Sequence, residues 1–207
     1  EYIVYTAHWD HIGVGKIVKG DSIYNGALDN ASGVSAVLSI AESYSKLKVA
    51  PERSVVFLFV TAEEQGLLGS EYYVENPIFP LEQSVCNLNM DGVNPAGPMK
   101  DFTIVGKGHS EMDAIAEKAA KSQGRYVMNE QEPEKGYFFR SDHFNFAKKG
   151  VPALYGEGGY DHMEKGKEYA KEFKDNFTAN NYHAPSDEFD PEKWDMNGMV
   201  QDAQIYF

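Results

Sequence analysis

The stretch Ser54–Ser70, SVVFLFVTAEEQGLLGS, is the most informative part of this 207-residue chain. It begins with Ser54–Val60, a continuous apolar run of the length of a buried strand. Two adjacent carboxylates, Glu63 and Glu64, follow almost at once. Neighbouring side chains at a strand end point in different directions, so one carboxylate could hold a metal ion while the other reaches a water molecule on that ion. Acids are also common in the first turn of a helix, so the pair alone does not establish a function.

Apolar runs alternate with helical patterns on both sides of this stretch. Strand patterns occupy residues 2–6, 54–60, 84–90, 102–105, 125–128 and 151–155, and helical patterns occupy residues 32–47, 65–74, 111–123, 142–149 and about 191–206. This order predicts an α/β sandwich, with a largely parallel sheet and helices on both faces. Three polar stretches interrupt it, at 13–26, 131–136 and 156–181. The last is too long for a plain connector, which predicts a functional loop or lid.

Composition limits the classes of partner. The chain has 32 acidic residues against 19 Lys and Arg, a net charge of -13, which argues against binding to nucleic acid or to an anionic membrane. No apolar run has the ~18–20 residues of a membrane span. Cys86 is the only cysteine, so neither an internal disulfide nor a cysteine-based zinc site is expected. The length fits one catalytic domain, residues 1–207, and we interpret the chain as trimmed from a longer protein because it opens on a core strand.

A histidine or an acidic residue lies at or just after the end of several predicted strands. In open α/β sheets, ligands gather at the carboxyl ends of the strands, so these side chains are expected to converge. Taken singly, each has an ordinary explanation, such as a helix cap, a turn or a loop residue. Taken together, these ordinary explanations would have to hold independently at several positions that all fall at strand or loop ends, which favours a shared site. The set consists of His8, Asp10, His11, Asp29, Glu63, Glu64, Asp91 and His183.

The residue types in this set suit zinc. Imidazole and carboxylate groups bind zinc at ~2.0–2.2 Å, and no thiolate is needed. Five protein ligands exceed the three or four that one catalytic zinc ion takes, whereas two ions that share one carboxylate accommodate five. Two such ions, ~3.5–4 Å apart, can activate a hydroxide and polarise a carbonyl group.

Six motifs, in this order, resemble the zinc-dependent aminopeptidase family with co-catalytic zinc: HWDHIG, NGALDNASG, TAEEQGLLGS, NMDG, RSDHF and YHAPSDE. This family also includes glutamate carboxypeptidase II, the glutaminyl cyclases and the transferrin receptor ectodomain. The resemblance extends over essentially the whole chain. It implies a three-layer α/β sandwich around a mostly parallel mixed sheet, and a peptide substrate. It also implies a secreted or periplasmic location.

The resemblance assigns two zinc ions to five ligands. His8 and Asp91 would hold one ion, Glu64 and His183 would hold the other, and Asp29 would bridge them.

Further roles follow from the same resemblance. Asp10 matches the acid that orients His8, because a carboxylate on the far ring nitrogen commonly supports a zinc-bound imidazole. Glu63 matches the general base. The family commonly has a strained peptide bond just after the bridging Asp, which is expected here at Asp29–Asn30. A stretch of the substrate pocket is expected at Arg140, Ser141, Asp142 and His143.

The end of the peptide that is cleaved is a less direct inference. A carboxypeptidase must hold a free carboxylate, commonly with Arg, and only Arg140 lies near a pocket motif. An acidic pocket favours the free amine, which predicts an aminopeptidase. A carboxypeptidase or dipeptidase with the same chemistry is the main alternative.

Two functions of different classes also stay open, and both are disfavoured. A single-zinc acyltransferase like the glutaminyl cyclases commonly lacks the first histidine ligand, and His8 is present here. A metal-free binding domain is disfavoured because all five ligands and the base are present. His11, His109 and His162 match no role and are interpreted as surface or supporting residues.

Overall fold

The computed structural model describes residues 1–207 and contains eight strands and six α-helices. The strands are β1 (Tyr2–His8), β2 (Gly13–Val18), β3 (Asp21–Tyr24), β4 (Ser54–Val60), β5 (Ser84–Asn89), β6 (Asp101–Ile104), β7 (Tyr126–Asn129) and β8 (Ala153–Gly158). The helices are α1 (Gly33–Ser45), α2 (Leu68–Glu75), α3 (Met112–Ser122), α4 (His143–Lys148), α5 (Gly166–Asn180) and α6 (Met196–Tyr206).

Six strands form one sheet in the order β4-β1-β5-β8-β6-β7. Strand β1 lies between β4 and β5 and is parallel to both, with His8 opposite Val60 and Thr6 opposite Asn89. Strand β8 continues the parallel set, whereas β6 runs antiparallel to β8 and parallel to β7. The predicted mostly parallel, mixed sheet is therefore confirmed.

Helices cover both faces of this sheet. Side chains alternate along β1, so Tyr5 and Ala7 face one side while Tyr2 and Val4 face the other. The first side packs against α1, α3 and α6 in a cluster of 18 buried residues, and the second packs against α2 and α4. These three layers confirm the predicted sandwich and leave the carboxyl ends of β4, β1, β5 and β8 at one edge.

Two of the polar stretches contain regular structure that the sequence pattern did not predict. Residues 13–26 include the exposed hairpin of β2 and β3. The prediction of a loop at 156–181 is wrong for most of its length, because α5 forms there, and the alternative prediction of a lid stays untested. Ala170 is the only residue of α5 that is fully buried, and it packs against Ala96 and Met99. A helix with so narrow an apolar stripe gives little periodic signal. None of the helices combines the length and apolar character needed to cross a membrane.

Candidate active site

Three neighbouring strands bring the predicted ligands together. His8 is the last residue of β1, Glu63 and Glu64 follow β4, and Asp91 follows β5. Because β1 is parallel to both neighbours, these three strand ends meet at the same edge of the sheet. Asp29 joins them from the turn that precedes α1.

The two carboxylate oxygens of Asp29 face different histidines. Oδ1 lies 3.3 Å from His8 Nε2, and Oδ2 lies 3.2 Å from His183 Nε2. His8 Nε2 is also 3.3 Å from Asp91 Oδ1, and His183 Nε2 is 3.1 Å from Glu64 Oε2. Asp29 therefore stands between two groups of ligand-type atoms, and its role as a bridge stays a prediction of the family resemblance.

His11 belongs to the site, although the sequence analysis assigned it no role. Its Nδ1 lies 2.6 Å from Glu64 Oε1, and its side chain is buried. Ligand-type atoms of His11, Asp29 and Glu64 all lie within 4.8 Å of one another, as do those of His8, Glu63 and Asp91. His8 ends β1 and His11 lies in the loop that follows it, so the two histidines of AHWDH reach different groups of the site.

The turn that carries Asp29 is fixed by buried hydrogen bonds. The Asp187 carboxylate accepts hydrogen bonds from Leu28 N at 2.9 and 3.2 Å and from Asp29 N at 3.0 Å. Asn30 Oδ1 accepts from Gly33 N and Gly92 N, which links the turn to the segment after β5. The peptide bond Asp29–Asn30, at the position where the family resemblance places a special peptide bond, is cis.

A carbonyl group sets the orientation of the His8 ring. His8 Nδ1 lies 3.1 Å from the backbone oxygen of Asp10, whereas the Asp10 carboxylate is 3.8 Å away. A carbonyl oxygen can only accept, so Nδ1 donates to it and Nε2 is directed toward the carboxylates. The role predicted for the Asp10 side chain is thus carried in this geometry mainly by its backbone, because the carboxylate turns toward Glu63 N at 3.5 Å.

Neighbouring carboxylates raise the pKa values of both histidines. Burial alone would lower the pKa of His8, but the carboxylates of Asp29 and Asp91 raise that pKa to about 12. Hydrogen bonds to Asp29 and Glu64 raise the pKa of His183 to about 10. Burial opposes ionisation of Glu64, yet His11 and His183 bring the pKa of Glu64 down to about 2. Carboxylates packed this closely need cationic partners, either protons on the imidazoles or a metal ion.

Glu63 differs from its neighbour Glu64. Burial, followed by the negative charge of Asp91, raises the pKa of Glu63 to about 9. Adjacent residues in one segment therefore have opposite pKa shifts. In the metal-free protein Glu63 is therefore protonated at neutral pH, and a cation bound beside it would favour the carboxylate form that a general base needs.

The structure contradicts three of the four pocket predictions. Ser141, Asp142 and His143 are buried beneath the site and do not line the cavity, because the segment enters α4 and turns these side chains inward. Ser141 donates to Asp91 Oδ2, and Asp142 accepts from Ser70. His143 packs between Phe138 and Tyr155, where burial lowers its pKa to about 3.

Arg140 lines the cavity at this site, and its place in a substrate pocket stays a prediction. The cavity has a volume of about 600 Å³ and opens onto Asp29, Glu63, Glu64, Asp91 and His183. Helix α5 forms one wall with Phe173, Lys174 and Phe177. Tyr155 and Glu157 of β8 form another wall, and Lys174 pairs with Glu157.

The donor set fits zinc. All the donors are imidazole nitrogens and carboxylate oxygens. In a tetrahedral zinc site with bonds of ~2.0–2.1 Å, neighbouring ligand atoms lie about 3.3–3.4 Å apart. The four separations around His8 and His183 are 3.1 to 3.3 Å, so both groups have the spacing of ligands that share an ion.

The whole chain, residues 1–207, matches the sequence model of peptidase family M28. The chain therefore belongs to this family, and the resemblance carried by the six motifs is confirmed.

Individual relatives are more distant. Leupeptin-inactivating enzyme 1 of Streptomyces exfoliatus is 34% identical over 137 residues, which are 64% of this chain and 29% of that protein. The chain spans less than a third of the length of the curated relatives that it matches.

Solved structures share the fold. BSAP, a zinc aminopeptidase from Bacillus subtilis, superposes with a TM-score of 0.69 at 22% identity, over 99% of this chain and 44% of that one. A glutaminyl cyclase from Bacteroides thetaiotaomicron gives a TM-score of 0.65 at 21% identity, over 99% of this chain and 70% of that one.

Proposed function

We propose that this chain is the catalytic domain of a dinuclear zinc exopeptidase that removes residues from the amino end of peptides. The observation that carries the proposal is that the two carboxylate oxygens of Asp29 face different histidines. One oxygen lies 3.3 Å from His8 Nε2 and the other lies 3.2 Å from His183 Nε2. A carboxylate that faces two separate ligand groups is suited to bridge two ions. Membership of peptidase family M28 supports peptide hydrolysis as the reaction.

The proposed ligands are those that the sequence indicated. His8 and Asp91 hold one zinc ion, Glu64 and His183 hold the other, and Asp29 is shared. Zinc ions bound there would supply the acidity of a coordinated water and the polarisation of a carbonyl group. His11 supports Glu64 through the oxygen that faces away from His183.

Glu63 carries the proton in this proposal. It lies in the group of His8 and Asp91 and lines the cavity, so it is within reach of both a water and a substrate at the centre. Its carboxylate takes the proton from the attacking water and passes it to the leaving amine. The two adjacent carboxyl groups belong to different groups of ligand-type atoms, Glu63 with His8 and Asp91, and Glu64 with His11 and Asp29.

The charge of the cavity favours a free amino end. Five carboxylates line the cavity, whereas its two fixed cations are Arg140 and Lys174. Lys174 is already paired with Glu157, which leaves Arg140 as the group available for a carboxylate. Arg140 is the observation that favours the second candidate, a carboxypeptidase or dipeptidase with the same metal chemistry.

Replacement of Glu63 by Gln tests the mechanism. The variant should bind as much zinc as the wild type and lose about 10²–10⁴-fold in kcat, because general base catalysis contributes that range. Elemental analysis measures the metal, and hydrolysis of aminoacyl anilides measures the rate. Near-normal turnover in the Glu63→Gln variant would show that another group is the base.

Blocked substrates separate the two exopeptidase classes. An aminopeptidase should cleave peptide amides and reject N-acetylated peptides, whereas a carboxypeptidase should do the reverse. A zinc-to-protein ratio near one, with release of cyclised products from N-terminal glutamine, would instead support an acyltransferase like the glutaminyl cyclases. The domain boundary and a secreted or periplasmic location stay predictions that depend on the family resemblance.

A further inference from the structure

A continuous line of buried hydrogen bonds crosses the sheet and ends on Asp91. Asn87 Nδ2 donates to Thr6 Oγ1 at 3.0 Å, and Thr6 Oγ1 donates to Asn89 Oδ1 at 2.7 Å. Asn89 Nδ2 then donates to Ser141 Oγ at 2.7 Å, and Ser141 Oγ donates to Asp91 Oδ2 at 2.6 Å. Every donor points toward Asp91, so a carboxylate, which only accepts when ionised, is a natural terminus.

This hydrogen-bond line occupies a place where apolar side chains would suffice for stability. Thr6 and Asn89 face each other on β1 and β5, on the sheet face that carries Tyr2 and Val4. Thr6, Asn87 and Asn89 are fully buried, and Ser141 is 2% exposed. Replacing both partners of a buried hydrogen bond by apolar groups of the same shape can be nearly neutral, so packing alone does not require this line.

Asp91 is the group whose geometry the line controls. Its Oδ1 faces His8 Nε2 at 3.3 Å, while its Oδ2 is held by Ser141. The carboxylate cannot turn without breaking the bond to Ser141. Resting on the proposed two-zinc function, we propose that Ser141 is a positioning residue that holds Asp91 so that a single oxygen ligates the ion on the His8 side.

The effect is confined to one half of the centre. Glu64, the terminal carboxylate of the other half, has His11 at its second oxygen and no contact with Ser141. Loss of the Ser141 hydroxyl should therefore weaken the ion on the His8 side and leave the ion on the His183 side unchanged. A residue that only stabilised the fold would affect both ions together.

Zinc titrations of Ser141→Ala test this role, with a chromophoric chelator as competitor. The variant is measured alone, with His183→Ala, which removes the ligand of the other half, and with His8→Ala. We expect zinc affinity to fall about 10- to 100-fold in the His183→Ala background, as for other groups that support metal ligands. In the His8→Ala background we expect no change. Cobalt in place of zinc gives a second measurement, its absorption spectrum. Ser141→Ala should shift that spectrum in the His183→Ala background and leave it unchanged in the His8→Ala background.

Ser70→Ala is the matched control. Ser70 is as buried as Ser141 and also donates to a carboxylate, Asp142, but it contacts no proposed ligand. Its loss should leave both zinc affinities unchanged. If Ser141→Ala does not fold, Thr6→Val, which keeps the side-chain shape, should give a smaller loss at the same ion.

The outcomes separate this proposal from the proposed function. A wild-type protein that binds no zinc overturns the two-zinc function. The second case is a wild-type protein that binds two ions. If the Ser141→Ala variant then binds both ions as tightly as the wild type, or binds both equally more weakly, only the role of Ser141 is overturned. If Thr6→Val has to be used instead, unchanged affinity in that variant counts against the role in the same way.

Discussion

The two halves of the centre are held in different ways. On the His8 side, the ligands sit at or just after the ends of adjacent parallel strands, and the His8 side chain is 0% exposed. On the His183 side, the histidine lies in the loop after α5, with φ of 53° and a side chain that is 37% exposed. The sheet therefore fixes one half, whereas a loop must be held in place to complete the other.

Side chains compensate for the irregular backbone of the His183 side. Tyr182 stacks on His183 with ring centroids 3.9 Å apart, and Asp187 ties the same loop to the Asp29 turn. Tyr182 is itself half-exposed, and the loop lies outside the strands of the sheet. We therefore expect the two halves to differ in metal affinity, and the ion on the His183 side to be the first that a chelator removes.

Replacement of Asp29 by Ala should have the largest effect and should abolish the difference between the halves. Both ions lose a ligand, so zinc content should fall to near zero and peptidase activity with it. Asp29→Asn, which keeps one carbonyl oxygen, should retain at most one ion. Elemental analysis after gel filtration measures both variants. Full zinc occupancy in Asp29→Ala would contradict a bridging role.

Replacement of the two histidines one at a time should expose the difference directly. His183→Ala should keep one tightly bound ion on the His8 side, because the strands that hold His8 and Asp91 are intact. His8→Ala should keep an ion that exchanges faster with a chelator, because only the loop half remains. Stopped-flow chelation measures the two dissociation rates. Equal rates would contradict the proposed dependence on backbone regularity.

Zinc affinity should rise with pH on both sides. In the metal-free protein, the pKa values of His8 and His183 are raised to about 12 and about 10, so both imidazoles are protonated at neutral pH. Zinc binds the neutral imidazole and must displace one proton from each. The logarithm of each affinity should therefore increase by about one per pH unit between pH 6 and 8, or about 100-fold in all.

Single-site variants assign that slope to each half. His183→Ala should retain a slope of about one from His8, and His8→Ala should retain a similar slope from His183. Buffered zinc titrations at several pH values provide the measurement. A flat profile in either variant would show that the remaining imidazole releases no proton when zinc binds and is not the ligand.

The sequence carried more information about the sheet half than about the loop half. Long apolar runs such as Ser54–Val60 locate strands, and parallel strands must end at one edge, so the convergence of His8, Glu63 and Asp91 was predictable. For His183, the family resemblance supplied the role, since no local periodicity positions a residue in a loop. Helix α5 was missed because a single fully buried residue anchors it.

Supporting residues were the least predictable. Ser141, Asp142 and His143 were expected in the pocket, but α4 turns them inward. His11 was assigned no role and Asp187 was not named, although they lie inside the quoted motifs HWDHIG and YHAPSDE. Sequence spacing identifies which residues approach a site, whereas the direction of each side chain depends on backbone turns that residue patterns do not encode.

Replacement of Asp187 by Asn should have the smallest effect of the series, and it tests whether the loop half depends on this tie. The buried carboxylate accepts from both Leu28 N and Asp29 N, and an amide offers only one oxygen for them. We expect zinc on the His183 side to bind about tenfold more weakly, as for other groups that support metal ligands. The His8 side should be weakened less, because it shares Asp29 but does not depend on the loop that carries Asp187 and His183. Glu188→Gln is the matched control, because it removes a neighbouring charge that contacts Asn25 and not the Asp29 turn. If both variants weaken zinc equally, the cause is lost negative charge; if only Asp187→Asn does, hydrogen bonds to the turn hold the loop half together.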